Sequence, residues 1–282
     1  MNEHRTALVI GGGIAGPVAA MALRRAGIEA RVYEAYQGAA DGVGGMLGLA
    51  PNGIDALDVL GAADAVRGIG EPVKSMIMRS WTGKRLAEFG GQDGEPVFHA
   101  VWRGELCRAL YDEAARRDIK TEHGKRFLTA HETASGVIAE FDDGTSAEAD
   151  LLIGADGIRS AVRSVIDPNA PQPRYTGLLG FGGETAKPVG LSSTNGSMHM
   201  IFGKRAFFAY FVYEDGHVGW FANLPRQTPD PRRVAGRRST GMVAHTGKRL
   251  RRGPHPRRGH PARVRAGRAA RGRRARGPAE RS

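Results

Sequence analysis

The chain has 282 residues, 41% hydrophobic and 25% charged, enough to bury the core of one large domain or two modest ones. Its formal net charge of +12 is unevenly placed: residues 1–231 carry 23 Lys+Arg against 28 Asp+Glu, and residues 232–282 carry 18 against a single acid, Glu280. A uniformly basic nucleic-acid-binding domain is therefore excluded, because the body is mildly acidic and the basicity sits in a tail.

In chain order, residues 6–10 (Thr-Ala-Leu-Val-Ile) read as a buried strand followed by a glycine turn. Arg5 and the apolar run from Ala7 to Leu23 have the outline of a secretion signal. Gly11, Gly12, Gly13, Gly16 and Pro17 break the helix such a signal needs. Ala15, Ala19, Ala22, Leu23 and Ala26 repeat at helical spacing, and Gly27 suits the helix end. Ala30 to Glu34 reads as a second strand, completing the strand–turn–helix–strand opening of a doubly wound sheet. Residues 53–66 read as one helix, Val73 to Trp81 as a strand, and Arg103 to Arg117 as a helix carrying Leu106, Leu110 and Ala114. Val137–Phe141 and Ser146–Ala149 read as a hairpin closed by an Asp-Gly turn, and Ala149–Gly154 as another short strand.

From Tyr175 to Leu224 the texture changes to glycine alternating with aromatics: Phe181, Met198, Met200, Phe202, Phe207, Phe208, Tyr210, Phe211, Tyr213, Trp220 and Phe221. This predicts an antiparallel sheet whose aromatic side serves as core, as the wall of a pocket for a flat organic molecule, or both. After Pro231 there is no Ile, Phe, Tyr or Trp, only an Arg/Gly/Ala/Pro-rich string with a few other residues. Such a segment buries too little apolar surface to offset its ordering entropy, so disorder is expected. The single cysteine, Cys107, excludes an intrachain disulfide, lies in an apolar-periodic stretch, and suits a reducing cytoplasm. No run reaches the ~18 apolar residues of a membrane span, so no membrane partner is expected.

The motif with the most chemistry is Gly11-Gly12-Gly13-Ile14-Ala15-Gly16, a G-x-G-x-x-G between strand and helix. Gly11 permits the tight turn, Gly13 lets backbone approach a pyrophosphate, and Gly16 lets the helix pack closely on the strand. Phosphates then sit at the helix N-terminus, where free N–H groups and the dipole favour anions. Glu34 ends the second strand, where a carboxylate binds a ribose 2′-OH and repels a 2′-phosphate. FAD or NAD is favoured there over NADP, and the motif alone does not separate the two.

Further motifs bring in a resemblance. Ala149-Asp150-Leu151-Leu152-Ile153-Gly154-Ala155-Asp156-Gly157-Ile158-Arg159-Ser160-Ala161-Val162-Arg163 resembles the Asp-Gly motif of the para-hydroxybenzoate hydroxylase family, the single-component aromatic hydroxylases. Val101-Trp102-Arg103-Gly104-Glu105-Leu106 is similar to that family's Arg-x-x-Leu helix start, and Leu49–Gly53 and Leu57–Gly61 also match its pattern. The resemblance covers roughly residues 5–225. It implies an FAD-dependent monooxygenase that uses NADPH or NADH and O₂ to hydroxylate an aromatic or polyketide-like small molecule. It implies that Arg103 contacts the flavin end of FAD and that Asp156-Gly157 lies near the pyrophosphate and the nicotinamide path. Asp156 also reads as a helix cap with Ser160 following, a role compatible with the first. The expected cofactor-binding set is Gly11, Gly12, Gly13, Ile14, Ala15, Gly16, Glu34, Ala35, Gly45, Arg103, Asp156 and Gly157, with Gly42 and Gly44 assisting at a loop against the ring system. No catalytic side chain and no metal site is expected; the tail histidines His245, His255 and His260 lack ligand-like partners.

The expected fold class is α/β. An incomplete Rossmann-like FAD-binding domain takes residues 1–72 and 98–172. An antiparallel β-sheet substrate domain takes 73–97 and 173–228. A disordered basic tail takes 229–282. The family's Gly-Asp-Ala-Ala-His-like segment has no counterpart here, so the chain is expected to be incomplete and impaired, with a frameshift near codons 226–240 as the reason for the tail. Two alternatives stay open: a flavin-dependent reductase or dehydrogenase of related fold, and a non-catalytic FAD module with a nucleic-acid-binding tail. The oligomeric state is not legible.

Overall fold

The structure is a computed structural model and describes residues 5–38, 44–91, 94 and 96–227. The expected disordered tail, its histidines and Gly42 lie outside the described residues. In chain order the elements are β1 (Arg5–Ile10), α1 (Ala15–Arg25), β2 (Ile28–Glu34), β3 (Met46–Leu49), α2 (Pro51–Val59), α3 (Ala63–Arg67) and β4 (Glu71–Val73). Next come β5 (Ser75–Ser80), β6 (Arg85–Gly90), β7 (Phe98–Trp102), α4 (Arg103–Arg116), β8 (Thr121–His123), β9 (Phe127–Glu132), β10 (Val137–Phe141) and β11 (Ser146–Ala149). The last are β12 (Leu151–Gly154), α5 (Ala161–Ile166), β13 (Leu178–Glu184), β14 (Ser197–Phe202), β15 (Phe207–Val212) and β16 (Val218–Pro225).

Four strands form a parallel sheet in the order β12-β1-β2-β8. β1 is buried on both faces, which is why it reads as an unbroken apolar run. Ala7 and Val9 enter one core with Ala20 and Met21 of α1, Ile54 and Leu57 of α2, Val66 of α3 and Leu110 of α4. Leu8 and Ile10 enter a second core with Phe127, Ala139, Phe141 and Val162, supplied by β9, β10 and α5. The layers are helices, parallel sheet, and an antiparallel meander ordered β11-β10-β9. Cys107 is fully buried on α4.

The helix expected over 53–66 is two helices. Gly61 adopts φ +65, a left-handed conformation that ends α2, and α3 starts at Ala63. The carbonyls freed there are not orphaned: Arg117 Nη1 donates to Leu60 O at 2.6 Å and Nη2 to Gly61 O at 2.9 Å. Arg117 is held in turn by Glu113, only 6% exposed, through an Nε–Oε1 bond of 2.7 Å.

The strand expected over 73–81 is also divided. β4 pairs with β7 in a small sheet ordered β3-β7-β4, whereas β5 belongs to a six-stranded sheet ordered β13-β16-β15-β14-β5-β6. The switch falls at Lys74, whose N–H donates to Gly196 O at 2.7 Å. The large sheet is antiparallel except for one pair: β5 and β14 run parallel, with Ser75 opposite Ser197 and Ser80 opposite Phe202. The strictly antiparallel expectation is corrected there, because β5 enters from a distant part of the chain. One face packs Met198, Ala209 and Phe211 against Val73, Ala100, Met46 and Phe98 of the small sheet. Phe211 is 5% exposed. Phe181 stands opposite Ala222, and Ala222 opposite Phe208, so Phe181 shares Phe208's face, not Phe211's, and is 44% exposed. Glu214–His217 forms the expected tight turn, with Gly216 at φ +83. No helix among the described residues is long and apolar enough to cross a membrane.

Candidate functional site

The glycine turn lies where β1 passes into α1, at the carboxyl ends of the parallel strands, the edge where open α/β sheets bind ligands. Each glycine answers a different contact. Gly11 has φ +104, and a Cβ there would stand 2.5 Å from Ala155 O. A Cβ on Gly16 would meet Gly11 O at 1.9 Å, so its absence lets α1 close on the strand. Gly13 has nothing within 4 Å, leaving its backbone open to a ligand. Ile14 occupies the N-cap of α1 and Ala15 its first turn. No side chain caps the helix and no acid lies in its first turn, so its leading N–H groups face outward unneutralised.

Glu34 closes one side of the turn. Its Oε2 accepts from Gly12 N at 2.6 Å and its Oε1 from Tyr36 N at 2.9 Å, so the carboxylate clasps both the turn and the chain beyond Ala35. Tyr111, on α4, reaches the same place: a Cβ on Gly12 would stand 1.9 Å from its hydroxyl. Sequence reasoning missed Tyr111, because the packing of α4 on α1 brings it there from nearly a hundred residues away. The surplus glycine at position 12 was the one available signal.

On the opposite side, Asp156 and Gly157 follow β12. Asp156 Oδ1 accepts from Ser160 Oγ at 2.5 Å, and Oδ2 accepts from Ala161 N at 2.7 Å and Val162 N at 3.2 Å. Ser160 accepts from Arg163 N at 2.9 Å as the N-cap of α5. The N-cap expected at Asp156 falls on Ser160 instead, and Asp156 supports it from outside the helix by accepting the first two helical N–H groups. Gly157, at φ +81, has open space where a side chain would be. The Ala155-Asp156 backbone lies directly against Gly11, so Gly11–Gly16, Glu34 and Asp156-Gly157 are brought to one edge.

Arg103 opens α4, with its N–H donating to Gly45 O at 3.1 Å and its side chain exposed. A Cβ on Gly44 would lie 2.8 Å from Arg103 Cδ, so glycine there lets the loop press against the arginine stem. Eight residues of helix separate Arg103 from Tyr111, a rise of about 12 Å. α4 thus runs from Gly44-Gly45 at one end to the glycine turn further along. Tyr213 directly follows β15 of the large sheet. Burial first, then the fields of Glu184, Glu71 and Glu105, raise that phenol's pKa and keep it protonated.

Two cavities lie away from this edge. One of about 370 Å³ sits on the outer face of the large sheet, lined by Ile77, Ser193, Thr194, His199 and Tyr210 among others. Another of about 480 Å³ separates the parallel sheet from the meander, beside Tyr33, Lys125 and Phe141.

The residues present fit a dinucleotide. The turn has one open glycine between filled ones, a helix N-terminus behind it, and a carboxylate placed for a ribose. Comparison with known proteins agrees. The family described as "FAD binding domain" matches residues 4–244, further than the roughly 5–225 that the motifs span. An FAD-dependent urate hydroxylase of Klebsiella oxytoca is 35% identical over 226 residues, 78% of this chain and 57% of the relative. A 3-amino-4-hydroxybenzoate 2-monooxygenase of Streptomyces platensis is 37% identical over 185 residues, 63% of this chain and 45% of the relative. Among solved structures, Klebsiella pneumoniae HpxO complexed with FAD and uric acid aligns at a TM-score of 0.71 and 30% identity, covering 82% of this chain and 59% of that one. The chain spans about half the length of the curated relatives it matches.

Proposed function

The chain belongs to the FAD binding domain family, and from that premise we propose that it is an FAD-dependent monooxygenase acting with NADPH or NADH and O₂ on an aromatic or polyketide-like small molecule. The observation that carries the reading is the single edge shared by the open Gly13 backbone, Glu34 and Asp156-Gly157. FAD supplies the redox chemistry that couples a nicotinamide donor and O₂ to hydroxylation. The protein's part is to bind, orient and exclude water. Gly11–Gly16, with the N–H groups of Ile14 and Ala15, take the pyrophosphate. Glu34 takes the adenosine ribose, with Ala35 carrying the chain away from it. Arg103, beside Gly44-Gly45, presents a forked cation to the flavin end.

The division of labour follows the sheets. Residues 1–72 and 98–172 form the cofactor domain and 73–97 and 173–228 the substrate domain, supported by the separate pairing of β5, β6 and β13–β16. The face bearing Met200, Phe211 and Tyr213 packs on the small sheet whose β7 leads into Arg103, and the rim of that face is the side on which a ring would be held. The single cysteine favours a cytoplasmic setting.

The test is to load the full chain with FAD and offer urate or 3-amino-4-hydroxybenzoate with NADPH or NADH under ¹⁸O₂. Substrate-stimulated O₂ uptake with one ¹⁸O atom in the product is expected, at the reduced rate of an impaired chain. Substrate reduction without O₂ uptake would make it a reductase. FAD uptake with neither reaction would make it a binding module.

A further inference from the structure

The motif leaves its second position free, so nothing in phosphate binding requires glycine at residue 12. The structure gives a different reason. A Cβ on Gly12 would lie 1.9 Å from Tyr111 Oη and 3.0 Å from Glu34 Oε2. The phenol and the carboxylate therefore converge on the one space that this glycine leaves empty. Tyr111 Oη is buried and has no hydrogen-bond partner among the described residues, an unfavourable state for a polar atom. Its ring cannot readily swing away. It stacks on His123 with centroids 5.8 Å apart and planes 18° from parallel. His123 stands opposite Glu34 where β8 pairs with β2. Burial, and then the charge of Glu34, raise the phenol's pKa, so it is a donor at any ordinary pH.

An ionised carboxylate offers about four acceptor positions. Two of Glu34's are filled by the N–H groups of Gly12 and Tyr36. That leaves room for a ribose hydroxyl from the open side and for one donor from beneath.

We propose that Tyr111 is a positioning residue of the cofactor site: its hydroxyl, admitted by Gly12, donates to Glu34 and holds that carboxylate against the adenosine ribose when the dinucleotide is seated. The proposal rests on the FAD reading and deepens it. Tyr111 acts through Glu34, so its effect follows the ribose 2′-OH and not the flavin.

The full-length chain is titrated with FAD, ADP and 2′-deoxy-ADP. Tyr111→Phe, which keeps the ring on His123, is expected to weaken FAD and ADP about tenfold, the loss of one hydrogen bond to a charged group. It is expected to leave 2′-deoxy-ADP unchanged. Equal weakening of all three would assign Tyr111 to packing alone, and no change in any would remove it from the site. Failure of the wild-type chain to bind either FAD or ADP would overturn the cofactor reading, and this inference with it. A second measurement does not depend on ligand. Gly12→Ala is expected to lower the melting temperature and Tyr111→Leu in the same chain to restore it; a Gly12→Ala protein as stable as wild type would show that the phenol does not fill that space.

Discussion

Gly11 and Glu34 differ in how a change at each would be felt. Gly11 is fixed by the fold itself, since its φ of +104 and the Ala155 carbonyl 2.5 Å from any Cβ both forbid a side chain. Gly11→Ala should cost about 2 kcal/mol or more of stability without any cofactor, read from urea unfolding. Glu34 is fixed by what it holds. Glu34→Gln keeps the shape but leaves one acceptor where the carboxylate used two, so it should raise the FAD dissociation constant about tenfold to a hundredfold and also cost about 1–3 kcal/mol of stability as one of the Gly12 and Tyr36 N–H groups loses its acceptor. Both residues were legible in the sequence because a local rule links each to its role: a tight turn after a strand, an acid at the end of the next. Tyr111 obeys no such rule. Its hydroxyl reaches Gly12 only because α4 packs on α1, and nothing within ten residues of Tyr111 announces that.

At the scale of elements, helix ends and turns decide the boundaries. Arg117 joins the close of α2 to α4, donating to the Leu60 and Gly61 carbonyls while it shares with Arg116 the neutralisation of the buried Glu113. Arg117→Ala should cost about 2–4 kcal/mol, because a buried carboxylate loses a partner and two carbonyls lose their donor. Chemical denaturation would measure it, and a cost under 0.5 kcal/mol would refute the role. The β10–β11 hairpin gives a pH dependence. Lys125, then the hydroxyl and N–H of Thr145, hold the Asp143 carboxyl down from its ordinary 3.8 to about 2. A depressed folded-state pKa contributes stability above the unfolded value and loses it as pH falls through the folded one. The wild-type melting temperature should therefore fall more steeply from pH 4 to pH 2 than that of Asp143→Asn. That hairpin was legible because Asp143-Gly144 is a strong local turn signal. The break between α2 and α3 was not, because the apolar spacing of Ile54, Leu57, Leu60 and Val66 continues across Gly61 while the backbone does not.

For the whole molecule, the stabilising unit is a core shared by elements far apart in sequence. Phe211 is buried where the large sheet meets the small one, among Val73, Ala100 and Met198. Phe211→Ala should cost about 3–5 kcal/mol and loosen both sheets together, visible as a single shifted unfolding transition. The parallel pair β5–β14 escaped sequence reading for the same reason: its strands are alike locally to antiparallel ones, and only the returning chain sets their direction. This threading also governs how the protein is made. The backbone N–H of Thr6, on the first strand, is tied to the Asp150 side chain, 144 residues later. At about 5–20 residues per second of synthesis, β1 waits roughly 7–30 s beyond the ribosome exit for its β12 neighbour, with Leu8 and Ile10 uncovered meanwhile. β5 and β6 wait for β14 in the same way. Two sheets left with an open edge for more than a hundred residues of synthesis each make the nascent chain slow to fold and dependent on whatever shields it, before any cofactor arrives.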